Sequence, residues 1–138
     1  LVLTKNMELP NETIIGSGPV IIENNKVLLN REQKKFGLEL FMFPSGVVDD
    51  YDIPLEDTAK REVMEELGIE IEIIKPLRTL VVDRIDREGK KAVLVHYLAK
   101  RIGEIKPGEE TIEWNWFDIN NLPDNCAPNV YEIIKDLK

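Results

Sequence analysis

Apolar and polar residues along the chain fall into short periodic blocks separated by Gly, Pro, Asn and Asp. From Thr13 to Ile22 the run is β-branched and apolar, Glu23 to Lys26 is turn chemistry, and Val27 to Arg31 is apolar again, which predicts a hairpin. Leu38 to Pro44 predicts a short buried strand that stops where Pro44 has no N–H to donate. A loop from Gly46 to Asp52 follows. Beyond it Leu55, Ala59, Val63 and Leu67 recur every four positions, with Gly68 just past the end, so Leu55 to Leu67 predicts a helix. Ile69 to Ile74 and Leu80 to Ile85 alternate, Arg87 to Lys90 is a turn, and Ala92 to Ala99 is strand-like; together they predict an antiparallel set. Thr111 to Asp118 puts Ile112, Trp114 and Trp116 on one side, and Val130 to Leu137 has helical spacing after Pro128. The first ten residues, Leu1 to Pro10, alternate and read as an edge strand or a frayed end. The order strands, helix, strands, helix predicts a mixed sheet flanked by helices, α/β/α or α+β, and not a doubly wound parallel fold.

A length of 138 residues suits one domain over 1–138, and 43% hydrophobic with 32% charged residues is the composition of a globular protein, not a coiled coil or a disordered chain. Eighteen basic against 26 acidic residues leave a net charge of −8. That charge opposes long nucleic acids and anionic membranes as partners, yet allows a phosphorylated substrate when a divalent cation mediates. No apolar run approaches the roughly 20 residues of a membrane span, and no signal pattern opens the chain, so a cytoplasmic location is expected. Cys126 is the only cysteine, which leaves no internal disulfide and no cysteine zinc cluster.

On the predicted helix, Glu62, Glu65 and Glu66 stand at i, i+3 and i+4 and share one face. Like charges at that spacing cost a few tenths of a kcal/mol per pair, and the carboxyl end of a helix disfavours anions further. An isolated E-x-x-E-E is ordinarily a solvated acidic face. The fuller string is more specific: Arg61, Glu62, Glu65, Glu66 and Gly68 at fixed spacing coincide by chance on the order of once per million positions at background residue frequencies.

With these residues the chain resembles the Nudix hydrolase family (MutT-like), whose box is G-x5-E-x7-R-E-U-x-E-E-x-G-U with U aliphatic. Arg61, Glu62, Val63, Glu65, Glu66, Gly68 and Ile69 match residue by residue. The first half departs: counting back from Arg61, the box Glu falls on Ile53 and the box Gly on Val47. One inserted residue would give Gly46 the Gly place and Asp52 the Glu place. Phe43-Pro44-Ser45-Gly46 looks like the family's passage from strand to loop, with Ser45 replacing the usual first Gly, and Trp116 to Pro123 is similar to its late strand and loop.

The resemblance implies an α/β/α sandwich and a metal-dependent pyrophosphohydrolase that cleaves a nucleoside diphosphate linked to another moiety. It implies that Glu62, Glu65 and Glu66 hold Mg²⁺ or Mn²⁺, hard cations suited to carboxylate oxygens, with Gly46 lending its backbone. Arg61, four residues before Glu65, is expected to orient carboxylates, and Glu62 and Glu65 to take part in catalysis. The general base is Glu62 or a later glutamate, with Glu109, Glu110 and Glu113 as candidates. The alternative is a Nudix-fold module that binds a nucleotide or a partner with little hydrolysis, suggested by Ser45 and Asp52. The edge-strand character of the amino terminus leaves a homodimer open. Elsewhere, His96 reads as a packed histidine, Trp114 and Trp116 as sheet-face residues, and Arg31, Arg84 and Arg87 as solvated or ion-paired.

Overall fold

The hairpin forms as its sequence predicts. Strands β1 (Ile14–Glu23) and β2 (Lys26–Glu32) are joined by Asn24 and Asn25, both at positive φ (52° and 62°), the twist a two-residue hairpin turn needs and one that Asn tolerates. The computed structural model describes residues 9–33, 40–51 and 53–138. Gly46 and Val47 form a two-residue strand, β3, on the early part of β1. Helix α1 (Leu55–Leu67) follows, then β4 (Glu70–Pro76), β5 (Leu80–Asp83), β6 (Lys91–Ile102), β7 (Thr111–Asp118) and α2 (Pro128–Asp136). The sheet order is β4-β6-β1-β2-β7, with β3 on β1 and β5 on β6. The β1–β6 pair is parallel and the other ladders are antiparallel, so the sheet is mixed.

Alternation along the central strands sorts their side chains to two faces. Ile21, Leu28 and Ala99 pack with Val63 and Leu67 of α1. Val20, Val27 and Leu29 pack with Val130, Ile133 and Ile134 of α2. One helix therefore covers each face, an α/β/α sandwich, and both central strands are buried on both sides. Trp114 and Trp116 pack against the α1-side core, and the Arg101 guanidinium lies over the Trp116 ring, so both tryptophans serve the sheet face.

Two expectations need correction. Of the strand expected from Leu38 to Pro44, the described part makes only isolated bridges, Asn30 to Met42 and Phe41 to Cys126, because this segment spans between β2 and the start of α2 instead of joining a ladder. Within the loop expected from Gly46, the first two residues pair with Gly16 and Ser17. Residues 1–8 of the expected amino-terminal edge strand lie outside the described residues, as does Asp52, while Leu9 and Pro10 are exposed and outside any strand.

Candidate active site

Helix α1 buries Thr58, Ala59, Val63 and Leu67; Glu62, Glu65 and Glu66 stand on the flank beside that stripe, with Glu62 against Gly46 of β3 and Glu66 against Ser45 just before it. The helix ends at Gly68, in the left-handed region at φ 67°, where the backbone turns directly into β4. A cleft of about 630 Å³ opens beside this flank, lined by Glu32, Ser45, Gly46, Val47, Glu62, Glu65, Glu66, Glu109, Glu110 and Thr111. The structure thus brings Gly46 and the three box glutamates to one wall. It also brings in two of the three late glutamates. Glu113 is not among the lining residues; its carboxylate pairs with Arg31 at 2.8 Å.

Each carboxylate is held differently. Glu66 Oε2 accepts the Ser45 backbone N–H at 3.1 Å and the Asn30 Nδ2 at 3.4 Å. Because the donor at Ser45 is the backbone, a serine in place of the family's usual glycine leaves this bond intact. Glu62 is packed against Gly46 so closely that any β-carbon at Gly46 would overlap its carboxylate. Burial pushes the Glu62 carboxyl above the usual carboxylate range, and the hydrogen bond from Arg61 opposes that rise. Glu65 is the most open of the three, with 62% of its side chain exposed.

Arg61 joins this wall from its rim. Its guanidinium reaches Glu62 Oε1 at 3.2 Å, Asp49 at 3.5 Å and Glu65 at 3.9 Å. The hydrogen bond to Glu62 raises its already high pKa further, so it stays a cation.

The loop that carries Glu109 and Glu110 is docked on the end of α1. Lys106 N–H donates to the Leu67 carbonyl at 2.7 Å and Gly108 N–H to the Glu66 carbonyl at 2.9 Å, which satisfies carbonyls the helix itself cannot pair. Gly108 sits so near the Glu65 carbonyl oxygen that a β-carbon would collide with it.

Glu32, Asn30 and Thr111 are site residues that sequence reasoning missed. Asn30 and Glu32 stand 32 and 30 positions before Glu62, at the end of a buried apolar strand, and only the fold brings them to α1. The available signal is Asn30 itself, a polar residue that directly continues the buried run Val27–Leu29.

The donor chemistry of the cleft fits a hard divalent cation. Among the described residues six glutamates line it and no lysine or arginine does, oxygen donors that suit Mg²⁺ or Mn²⁺ and whose mutual repulsion a cation would offset. The wall is lined but not closed: among the described residues, no three His, Cys, Asp or Glu side chains are grouped tightly enough to enclose an ion. Other polar groups are occupied elsewhere. His96 is 3% exposed and lies between the Arg78 carbonyl and the Asn129 amide. Arg84 pairs with Asp86 and Arg87 with Glu12. Cys126 is buried, and burial pushes its thiol up. Among the described residues, no helix is long and apolar enough to cross a membrane.

Comparison with known proteins agrees with this arrangement. The family model of the NUDIX domain matches residues 16–137. An ADP-ribose pyrophosphatase of Methanocaldococcus jannaschii is 31% identical over 117 residues, 85% of this chain and 68% of that protein. The crystal structure of a MutT NUDIX hydrolase from Burkholderia pseudomallei superposes with a TM-score of 0.82 at 24% identity, over 93% of this chain and all of that one. The MutT protein of Methanosarcina mazei gives 0.79 at 20% identity, over 94% and 95%. A family match over nearly the whole chain, on a sandwich that sets the box helix beside a glutamate-lined cleft, means that the protein belongs to the Nudix hydrolase family.

Proposed function

We propose that this protein is a divalent-metal-dependent pyrophosphohydrolase that cleaves the diphosphate of a nucleoside diphosphate linked to another moiety, with ADP-ribose the leading substrate. The observation that carries the reading is the cleft itself, in which six glutamates face one volume and, among the described residues, no lysine or arginine lines the wall. An anionic diphosphate would be repelled by such a wall unless a cation intervened. The similarity to an ADP-ribose pyrophosphatase supports the choice of substrate.

In this reading Glu62, Glu65 and Glu66 hold Mg²⁺ or Mn²⁺ together with the backbone of Gly46. When bound, the cation supplies charge neutralisation of the diphosphate and acidification of water. Arg61 fixes the Glu62 carboxylate through the 3.2 Å contact, so that it keeps one orientation as charge develops. A carboxylate of the cleft, Glu62 or one of Glu109 and Glu110, accepts a proton from the attacking water. The water oxygen bonds to one phosphorus, the bridging P–O bond breaks, and the products are a nucleoside monophosphate and a phosphorylated remainder; ADP-ribose gives AMP and ribose 5-phosphate. Product-resolved hydrolysis with Mg²⁺, with Mn²⁺ and with chelator tests the reading. Metal-dependent release of a monophosphate supports it, and absence of turnover across a panel of nucleoside diphosphate derivatives contradicts it.

A further inference from the structure

The end of β2 carries two residues that lie outside the box string and inside the site. Asn30 is 2% exposed, and its backbone pairs in both directions with Met42. Its side-chain amide stands between two carboxylates: Nδ2 donates to Glu32 Oε1 at 2.6 Å and to Glu66 Oε2 at 3.4 Å. An amide NH₂ has two protons, so one group serves both acceptors. Thr111 opens β7 opposite Glu32, just past the register shift between β2 and β7. Its hydroxyl lies 2.7 Å from the same Glu32 oxygen and 2.8 Å from the Glu66 carbonyl, one proton between two acceptors.

These contacts do something a strand end does not require. A glutamate there is ordinarily left to water. Here a buried amide and a hydroxyl bring Glu32 up to Glu66, against the repulsion of like charges in a partly buried wall. A neutral glutamine would accept the same two hydrogen bonds, so the network does not need the charge. The charge instead adds to the anionic wall of the cleft that Glu32 lines.

Resting on the metal-dependent reading of this cleft, we propose that Glu32 is a further carboxylate of the cation site and that Asn30 and Thr111 are positioning residues that fix it beside Glu66.

The test is Mn²⁺ binding, read from the electron paramagnetic resonance signal of the free ion, on the full chain and on Glu32→Gln, Asn30→Ala, Thr111→Val and Thr111→Ser. Melting temperature in chelator is measured alongside. The native protein is expected to bind Mn²⁺. Glu32→Gln and Thr111→Val are each expected to weaken binding about 10-fold or more, the usual cost of losing a ligand's support, while Thr111→Ser restores it. In chelator, Glu32→Gln is expected to melt at or above the native temperature, since a like charge is gone. Should Asn30→Ala fail to fold, the Glu32 and Thr111 variants still decide. Unchanged Mn²⁺ affinity in Glu32→Gln, in a native protein that binds Mn²⁺ and hydrolyses its substrate, overturns this proposal alone. A native protein that neither binds Mn²⁺ nor turns over overturns the reading of the cleft as well.

Discussion

The Glu62 carboxylate occupies the space where a side chain at Gly46 would begin: a β-carbon there would overlap its Cγ, Cδ and Oε1. The short β3 strand holds Gly46 in place by pairing it with Ser17, so the backbone cannot simply withdraw. Gly46→Ala is therefore expected to displace Glu62, not to be absorbed by the loop. A misplacement of about 1 Å in a catalytic group can cost on the order of 100-fold in rate, and a loss of that order in kcat is predicted. Steady-state kinetics beside a melting curve checks it; a large drop in melting temperature with unchanged kcat in the folded fraction would contradict it.

Arg61 makes three ionic contacts from a position 39% exposed, where ion pairs contribute about 1 kcal/mol or less to stability. Arg61→Lys keeps the charge but loses the planar fork. The predicted outcome is a melting temperature within a few degrees of native and a fall of about 10-fold or more in kcat/KM. Equal activity in the lysine variant would show that the charge alone suffices.

The loop bearing Glu109 and Glu110 depends on the close approach of Gly108 to the end of α1. Gly108→Ala is expected to destabilise the fold by about 1–3 kcal/mol, the range for inserting a methyl group into a tight contact. Hydrogen exchange of the Lys106 and Gly108 amides, which donate to Leu67 and Glu66, should speed up selectively. Protection equal to native would mean that the loop is held by other contacts.

His96 sets a pH dependence of stability away from the cleft. Burial lowers its pKa; the hydrogen bond to the Arg78 carbonyl opposes that shift and the Arg78 charge adds a smaller push in the same direction as burial. The neutral tautomer with a proton on Nδ1 donates to the Arg78 carbonyl and accepts from Asn129. The unfolded chain binds this proton at about pH 6.5, the folded one only at lower pH. The contribution of His96 is therefore fully present above about pH 6.5 and is lost as pH falls toward the lower, folded value. Denaturant unfolding at pH 7.5 and pH 5.5 should show a smaller decrease for His96→Gln than for the native chain. An identical decrease in both would assign the effect to other groups.

Local pattern carried most of the architecture. The α1 limits, Leu55 to Leu67, and those of β7, Thr111 to Asp118, coincide with the periodicity that predicts them, because strong amphipathic spacing and a closing Gly68 leave little choice. Leu40 to Phe43 was less legible, since an apolar run does not reveal whether a neighbouring strand is available to pair along its length. The glutamates of the box were legible for the same reason as α1: their spacing is local. Glu32 was not, because its role depends on Asn30 and Thr111 meeting Glu66 across three elements. Choice among the late glutamates also needed the fold, which pairs Glu113 with Arg31 and sets Glu109 and Glu110 in the cleft.

The most direct test of the central claim is hydrolysis of ADP-ribose followed by separation of products, with Mg²⁺ and with chelator, for the native protein and Glu66→Gln. The account predicts AMP and ribose 5-phosphate from the native protein with metal, none in chelator, and a loss of at least about 100-fold in the variant. Intact ADP-ribose in every reaction, together with a raised melting temperature when it is added, would contradict hydrolysis and make the cleft a binding site.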